Sequence, residues 1–82
     1  MQVTIDVSMY PFNEDFKNPI KEFISKINCY ENLIITTFPT STTVQGEYEC
    51  AMQAIQETVA GCYRADNMAS YVVKIIPGYE AM

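Results

Sequence analysis

The sequence predicts an α+β protein whose elements follow one another in the order β-α-β-β-α-β. Alternating apolar and polar residues run through segments 2–10 and 70–76, as in half-buried strands. Two segments between them repeat apolar residues at intervals of three and four, the spacing of amphipathic helices. Two β-branched segments separated by Pro39 lie between those helices. With 82 residues, the chain has the length of one domain, which we assign to residues 1–82.

The first strand is predicted over residues 2–10. Val3, Ile5, Val7 and Met9 share one face of this strand, and that face is expected to pack on a core. Pro11 is predicted to end the strand, because proline has no N–H to donate to a sheet ladder.

The first helix is predicted to begin at Asn18, an N-cap followed by Pro19 in the first turn, with Asp15 as an earlier alternative cap. Its apolar stripe comprises Ile20, Phe23, Ile24 and Ile27. Asn28 is expected to close the helix.

Residues 33–38 form the second predicted strand, residues 39–41 a turn, and residues 41–48 the third strand. Gly46 inside the third strand indicates a bulge, a bend or the close approach of another part of the chain.

The second helix is predicted over residues 49–63, with an apolar stripe of Met52, Ile55, Val59 and either Cys62 or Tyr63. A final strand over residues 70–76 ends at Pro77 and Gly78, which leaves a short tail. Two right-handed crossovers of this kind give a four-stranded antiparallel sheet of order 4-1-3-2 with both helices on one face. The predicted fold is therefore a ferredoxin-like two-layer sandwich.

Composition excludes several classes of function. The formal net charge is −5 and Arg64 is the only arginine, so neither nucleic acid nor an anionic membrane is an expected partner. The chain has no histidine, and its three cysteines lack the spacing of metal ligands. We therefore expect no metal site, no required cofactor and no catalytic activity. The first residues do not resemble a signal peptide, so a cytoplasmic location is expected.

The helix-free face of the sheet is the first candidate for binding. It carries Thr4, Asp6, Ser8 and Tyr10 from the first strand and Val72, Lys74 and Ile76 from the last. This surface is apolar enough that sheet-to-sheet association into a homo-oligomer is expected to cover it. A pocket at that interface would be lined by hydroxyls, aromatic rings and a carboxylate, which suits a flat heteroaromatic ligand. Alternatively, Tyr10 anchors the interface itself, and Asp6 is a solvated or Lys74-paired carboxylate.

Residues 36–43 are unusually rich in hydroxyl groups, which six of the eight side chains carry. One interpretation is ordinary strand and turn chemistry, because threonine favours strands and serine and proline favour turns. The other is a hydrogen-bonding loop at the mouth of a ligand site. Composition does not separate the two.

Four segments together resemble the YkoF-type thiamine/hydroxymethylpyrimidine-binding family and its single-domain relatives. They are SMYP (8–11), PIKEFI (19–24), TFPTST (37–42) and GEY (46–48), which span nearly the whole chain in the family's order. The resemblance implies a ferredoxin-like fold, dimers that often pair into tetramers, and binding of thiamine or its pyrimidine without catalysis. Phe38 and Thr40 depart from the family pattern, where asparagine and methionine are common, and are expected to reshape the pocket.

Carried over by position, the resemblance implies that Ser8, Tyr10, Thr37, Thr40, Ser41 and Thr42 bind the ligand. Tyr10 or Phe38 can stack on a pyrimidine, and Asp6 or Glu47 can act as charge partners for an exocyclic amine or a thiazolium. The predicted function is therefore non-catalytic binding of a small molecule. The alternative is a structural or regulatory oligomerisation module that binds a protein partner through the open sheet face.

Overall fold

Two helices lie against one face of a four-stranded antiparallel sheet in the computed structural model, which describes residues 1–80. The elements are β1 (Gln2–Pro11), α1 (Lys17–Ile27), β2 (Ile34–Thr37), β3 (Thr42–Glu47), α2 (Tyr48–Arg64) and β4 (Ala69–Pro77). The strand order β2-β3-β1-β4 is the predicted order counted from the opposite edge, so the ferredoxin-like fold is confirmed.

The core lies between the central strands and the two helices. Its buried members are Val3, Ile5 and Val7 of β1, Leu33, Val44 of β3, Phe23 and Ile27 of α1, and Ala51, Ala54, Ile55 and Cys62 of α2. Burying a valine, isoleucine or phenylalanine side chain contributes about 1.5–3 kcal/mol. The predicted inward face of β1 is confirmed, although Met9, near the end of the strand, is only partly buried.

The start of α1 differs from the prediction. The helix begins at Lys17, so Asn18 lies inside it and is not the N-cap. Asp15, the alternative, is not the N-cap either, because Phe16 holds that position. Asp15 still contacts this turn: one carboxylate oxygen accepts from the Asn18 backbone amide at 3.4 Å and the other from the Asn18 side chain at 2.6 Å. Pro19 is tolerated because the first N–H groups of a helix have no partner within the helix. Asn28 closes α1 as predicted, and its side chain donates to the Ile24 carbonyl at 2.7 Å.

Pro11 lies inside β1 rather than after it. The pairing of β1 with β3 ends at Val7 opposite Thr42, whereas the pairing with β4 continues to Pro11 opposite Ala69. The missing N–H of Pro11 would point toward the side that β3 no longer occupies. The strand therefore continues through the proline without losing a ladder hydrogen bond.

Helix α2 approaches the sheet through smaller residues than predicted. Its buried side chains are Ala51, Ala54, Ile55, Thr58 and Cys62, whereas Met52 and Val59 are partly buried. Tyr63 is 67% exposed, so of the two alternatives it is Cys62 that faces the core. Two alanines in the stripe let the helix backbone lie close to β1 and β3.

The helix-free face carries the predicted residues of β1 and β4, but the chain itself covers part of it. Gly78 adopts a φ of 75° and its amide donates to the Gln2 carbonyl at 2.7 Å. The Thr4 hydroxyl then donates to the Tyr79 carbonyl at 2.6 Å, and Thr4 is buried although it faces away from the helices. Residues 81–82 of the predicted tail lie outside the described residues. No helix of the described chain is long and apolar enough to cross a membrane.

Candidate functional site

A pocket of about 390 Å³ opens at one end of the sandwich. The last residues of β1, the first two turns of α1 and the turn between β2 and β3 meet there. The pocket therefore combines three segments that are far apart in sequence. Its walls differ in chemistry, and each follows from the local structure of the segments that form it.

One wall is apolar. Val7 and Met9 face the helices because alternate residues of β1 point to the same side of the sheet. Ile20, Phe23 and Ile24 come from the stripe of α1, where residues three and four apart share a face. Helix α1 does not fully cover the end of β1 near the pocket, and Met9 there is therefore only partly buried.

A second wall carries hydroxyl groups from the β2–β3 turn. Thr37 and Thr42 are cross-strand partners, and the turn between them is closed by a hydrogen bond from the Phe38 amide to the Ser41 carbonyl at 2.8 Å. Thr40 and Ser41 complete this wall. A hydroxyl both donates and accepts, so the wall can satisfy ring nitrogens as well as amino groups.

Four aromatic side chains line the pocket, and three of them remain about half exposed. Tyr10, near the end of β1, is 55% exposed, and Phe16, just before α1, is 52% exposed. Phe38, in the β2–β3 turn, is 49% exposed. Exposed aromatic rings around an apolar cavity are available to stack on a flat ligand. None of the residues that line the pocket carries a formal charge at neutral pH, so its interactions are packing, stacking and hydrogen bonding.

The structure brings most of the predicted ligand-binding residues together. Those that line the pocket are Tyr10, Thr37, Phe38, Thr40, Ser41 and Thr42. Ser8 lies on the opposite side of the sheet, where its hydroxyl donates to the Thr40 carbonyl at 3.2 Å. This pocket opens on the helix side of the sheet, whereas the pocket at a subunit interface on the helix-free face stays a prediction. The pocket opens on the helix side because Thr37 and Thr42 pair on the same face as Val7.

Neither predicted charge partner lines the pocket. Asp6 lies on the helix-free face, opposite Thr43 and Lys74 in neighbouring strands. Glu47 lies at the far end of β3, where its side chain caps α2 by accepting from the Glu49 and Cys50 amides at 3.1 and 3.3 Å. The Cys50 hydrogen bond is the main cause that lowers the pKa of Glu47 below its ordinary value.

The apolar wall and Phe16 are not among the predicted site residues. Ile20, Phe23 and Ile24 are predicted only as part of the apolar stripe of α1. Phe23 is buried in the core and Ile20 and Ile24 are partly buried, and all three also line the pocket. One signal was available. Residues 10–16 contain Tyr10, Phe12 and Phe16 immediately before a helix, and apolar aromatics in a connecting segment are typical of a binding surface.

No family model matches the sequence, and no curated protein matches it significantly. Several solved structures are similar. A Thermotoga maritima protein provisionally assigned to thiamine biosynthesis or salvage is 25% identical with a TM-score of 0.84, over 99% of this chain and 86% of that chain. A Streptococcus pneumoniae protein is 22% identical with a TM-score of 0.86, over 96% and 89% of the two chains. A DUF77 domain of unknown function from Bacillus cereus is 19% identical with a TM-score of 0.77, over 98% and 77%.

These likenesses support the fold over nearly the full length of the chain. The Thermotoga maritima neighbour, at 25% identity, is also consistent with the YkoF-type resemblance of the four sequence segments.

Proposed function

We propose that this chain is a non-catalytic binding protein for a small, flat, nitrogen-containing aromatic ring, with thiamine or its hydroxymethylpyrimidine part as the ligand. The observation that carries the proposal is a pocket of about 390 Å³ that combines an apolar wall from α1 and β1 with hydroxyls from the β2–β3 turn. The Thermotoga maritima neighbour and the four resembling segments support the choice of ligand.

The dimensions of the pocket suit such a ligand. Small-molecule sites commonly measure about 300–1,000 Å³, and this pocket lies near the lower limit. One face of a ring would pack on Ile20 and Ile24, while its nitrogen-bearing edge would meet the hydroxyls of Thr40 and Ser41. Stacking on Phe38 would add about 0.5–1.5 kcal/mol beyond the area buried.

The electrostatics of the pocket favour a neutral ring. A charged group in a small apolar pocket needs a partner, and the lining offers no charged side chain. A cationic part of the ligand, such as a thiazolium, would therefore remain at the open mouth. The net charge of −5 would favour its approach there through the overall field.

Calorimetric titration with thiamine and with hydroxymethylpyrimidine tests the proposal. We expect saturable heat and a ligand-dependent rise in melting temperature, because a ligand selective for the folded state raises apparent stability. Phe38→Ala and Ser41→Ala should weaken binding roughly five- to tenfold, equivalent to about 1–1.4 kcal/mol. Phe12→Ala is the matched control, since Phe12 is 69% exposed and lies outside the pocket.

The proposal would be wrong for these ligands if neither produced heat or a thermal shift at concentrations of roughly 1 mM. It would be wrong for this pocket if binding occurred but Phe38→Ala, Ser41→Ala and Phe12→Ala all bound as tightly as the unmodified chain. Circular dichroism of each variant establishes that a loss of binding is not a loss of fold.

A further inference from the structure

Two aromatic side chains lie at the open side of the candidate pocket. Residues 12–16 connect β1 to α1, and every one of them is exposed. Tyr10 precedes this connection and Phe16 ends it, and both side chains line the pocket although more than half of each is exposed. The pocket therefore has an aromatic edge where the chain faces solvent. We call Tyr10 and Phe16 the aromatic rim.

Packing in the core does not account for the aromatic rim. Neither Tyr10 nor Phe16 belongs to the buried cluster or to the partly buried residues packed against it. Within residues 1–80, the one pair of rings in contact is Phe23 with Tyr71. A side chain that leaves half of its surface in water gives the fold only part of the stabilisation that full burial would.

Helix capping does not account for Phe16 either. Phe16 is the N-cap of α1, and its side chain makes no capping hydrogen bond. This position favours serine, threonine, asparagine and aspartate, whose side chains accept from the first free N–H groups of a helix. A phenylalanine at the N-cap gives up that hydrogen bond. Residues that break a local rule of this kind are expected at functional sites.

The backbone attaches the aromatic rim to the two elements that form the apolar wall. The Phe16 carbonyl accepts from the Ile20 amide at 3.4 Å, and Ile20 lines the pocket one turn into α1. Tyr10 is paired with Ser70 in the ladder between β1 and β4. Both rings are therefore carried by ordered backbone beside the pocket.

The charges around the pocket leave a bound cation without a carboxylate partner. The described part of the chain places no charged side chain in the lining, and the predicted charge partners Asp6 and Glu47 lie elsewhere. Lys17 and Lys21 of α1 are exposed and do not line the pocket. The face of an aromatic ring attracts a cation within about 6 Å of its centre, and aromatic side chains bind quaternary nitrogen in this way.

We propose that the aromatic rim is a subsite for the positively charged part of the ligand, a thiazolium or another azolium ring with a quaternary nitrogen. The inference rests on the proposed function, because the neutral ring inside the pocket brings the attached cation to the rim. It narrows the ligand class to an uncharged aminopyrimidine joined to an aromatic cation, rather than the pyrimidine alone. The net charge of −5 attracts such a molecule, and the rim holds its charge in place of a carboxylate.

Phe38 and the aromatic rim then contact different parts of the ligand. Phe38 lies in the turn that carries Thr40 and Ser41, whose hydroxyls meet the ring nitrogens in the proposed function. Phe38 therefore contacts the neutral ring, whereas Tyr10 and Phe16 contact the cation. A compound without the cation should gain from Phe38 and not from the rim.

Calorimetric titration with three compounds tests the proposal. They are thiamine, hydroxymethylpyrimidine and a neutral isostere of thiamine in which a thiophene replaces the thiazolium. We expect thiamine to bind at least roughly fivefold more tightly than the isostere, since each ring should contribute roughly two- to fivefold to the affinity for a cation. Titration in roughly 0.5 M salt screens the attraction due to net charge, so the difference that remains reports contact with the rim.

Substitutions of Phe16 separate the effect of its ring from that of its apolar bulk. Phe16→Leu should weaken thiamine binding roughly two- to fivefold and leave the affinity for hydroxymethylpyrimidine unchanged, whereas Phe16→Trp should bind thiamine at least as tightly as the unmodified chain. Phe16→Ser should also weaken thiamine binding, yet keep or raise the melting temperature, because serine is a preferred N-cap. Phe12→Leu is the matched control, since Phe12 is exposed in the same connection and does not line the pocket.

If hydroxymethylpyrimidine binds but thiamine and its neutral isostere have equal affinities, the rim subsite is wrong and the proposed function stands. Equal affinities of Phe16→Leu and Phe12→Leu for thiamine would also overturn the subsite. So would a lowered melting temperature of Phe16→Ser, because Phe16 would then be a structural residue. If none of the three compounds binds, the proposed function and the rim subsite are both wrong.

Discussion

The Ser8 hydroxyl donates a hydrogen bond to the Thr40 carbonyl at 3.2 Å, and so connects β1 to the turn that forms the polar wall of the pocket. The donor lies on the helix-free face of the sheet, whereas Thr40 also lines the pocket on the other side. Ser8 therefore acts on the candidate site indirectly, by holding the backbone of the turn in place.

This relationship predicts that Ser8→Ala weakens ligand binding without removing any group that contacts the ligand. Because the bond is exposed, its loss should cost about 0.5–1 kcal/mol, or a two- to fivefold increase in the dissociation constant of thiamine. Calorimetry measures this change. Ser70→Ala is the matched control, since Ser70 is an exposed serine on the same face. Equal affinities for Ser8→Ala and Ser70→Ala would mean that the turn holds its shape without this bond.

Glu47 makes the stability of the fold depend on pH in the acidic range. Its hydrogen bonds to the Cys50 and Glu49 amides lower its pKa below the ordinary value of 4.5. Because the pKa is lowered in the folded state, the ionised carboxylate stabilises the fold fully at pH values above its ordinary pKa. This stabilisation disappears as the pH falls through the folded-state pKa. Glu47→Ala should therefore lower the melting temperature most at neutral pH, and the two proteins should converge in acid.

Thermal denaturation between roughly pH 7 and pH 3 measures this convergence. Glu31→Ala, which changes an exposed glutamate in the loop after α1, serves as the control and should follow the unmodified protein throughout. A difference between Glu47→Ala and the unmodified chain that stayed constant down to the lowest pH would contradict a role for the ionised carboxylate.

The architecture could be predicted because local signals and topology agreed. Alternation in β1, the apolar stripe of α1 and the turn at Pro39 each specify an element, and handedness rules leave one simple way to join them. The start of α1 could not be predicted as well. Asn18 and Asp15 are both good capping residues, and the choice depends on how the loop after Pro11 approaches the helix, which is a tertiary effect.

The sequence indicated the polar residues of the candidate site but not its apolar residues. Hydroxyls in a turn are conspicuous, whereas Ile20 and Ile24 look like any core stripe until the strand opposite them is known. The sequence also does not indicate which face of the sheet the Thr37 and Thr42 side chains occupy. Whether Thr37 and Thr42 point toward the helices depends on strand register, and the sequence does not specify register for such a uniformly polar segment.

We expect the fold to lose stability at alkaline pH because of Tyr71. Its ring lies 5.9 Å from that of Phe23, and its buried hydroxyl lies beside the Cys62 thiol, the one polar side chain that faces it among residues 1–80. Burial raises the pKa of Tyr71 to about 12. The pKa of Tyr71 in the folded state exceeds its ordinary pKa of 10.0. The neutral hydroxyl therefore stabilises the fold fully below pH 10.0, and this stabilisation is lost as the pH rises from there toward the folded-state pKa.

Tyr71→Phe should therefore reduce the alkaline loss of stability. At neutral pH it should change the free energy of unfolding little, because the thiol of Cys62 is only a weak hydrogen-bond partner for the buried hydroxyl. Urea denaturation at neutral pH and at a series of alkaline values measures both effects. A clear destabilisation at neutral pH would show instead that the hydroxyl is hydrogen-bonded in solution, for example through a water molecule.

Gly46 and Gly61 should respond in opposite directions to the same substitution. A Cβ built on Gly46 would lie 2.5 Å from the Cδ2 of Leu33, a distance that forces one of the two groups to move. Leu33 is buried with an exposed fraction of 8%, so its side chain has little space to rotate away. The glycine predicted to mark a bulge, a bend or a close approach therefore marks a close approach. Gly46→Ala should destabilise the fold by about 1–3 kcal/mol through overpacking.

Gly61 lies inside α2, where a new Cβ would meet only the Lys26 side chain at an ordinary 3.6 Å. Alanine is favoured over glycine in a helix interior, so Gly61→Ala should stabilise the fold by about 0.5–1 kcal/mol. Chemical denaturation of both variants under the same conditions tests the pair. If Gly46→Ala proved as stable as the unmodified chain, the Leu33 side chain would have to leave its buried position at no cost in free energy. The close packing of β3 against the loop before β2 would then not constrain this end of the sheet.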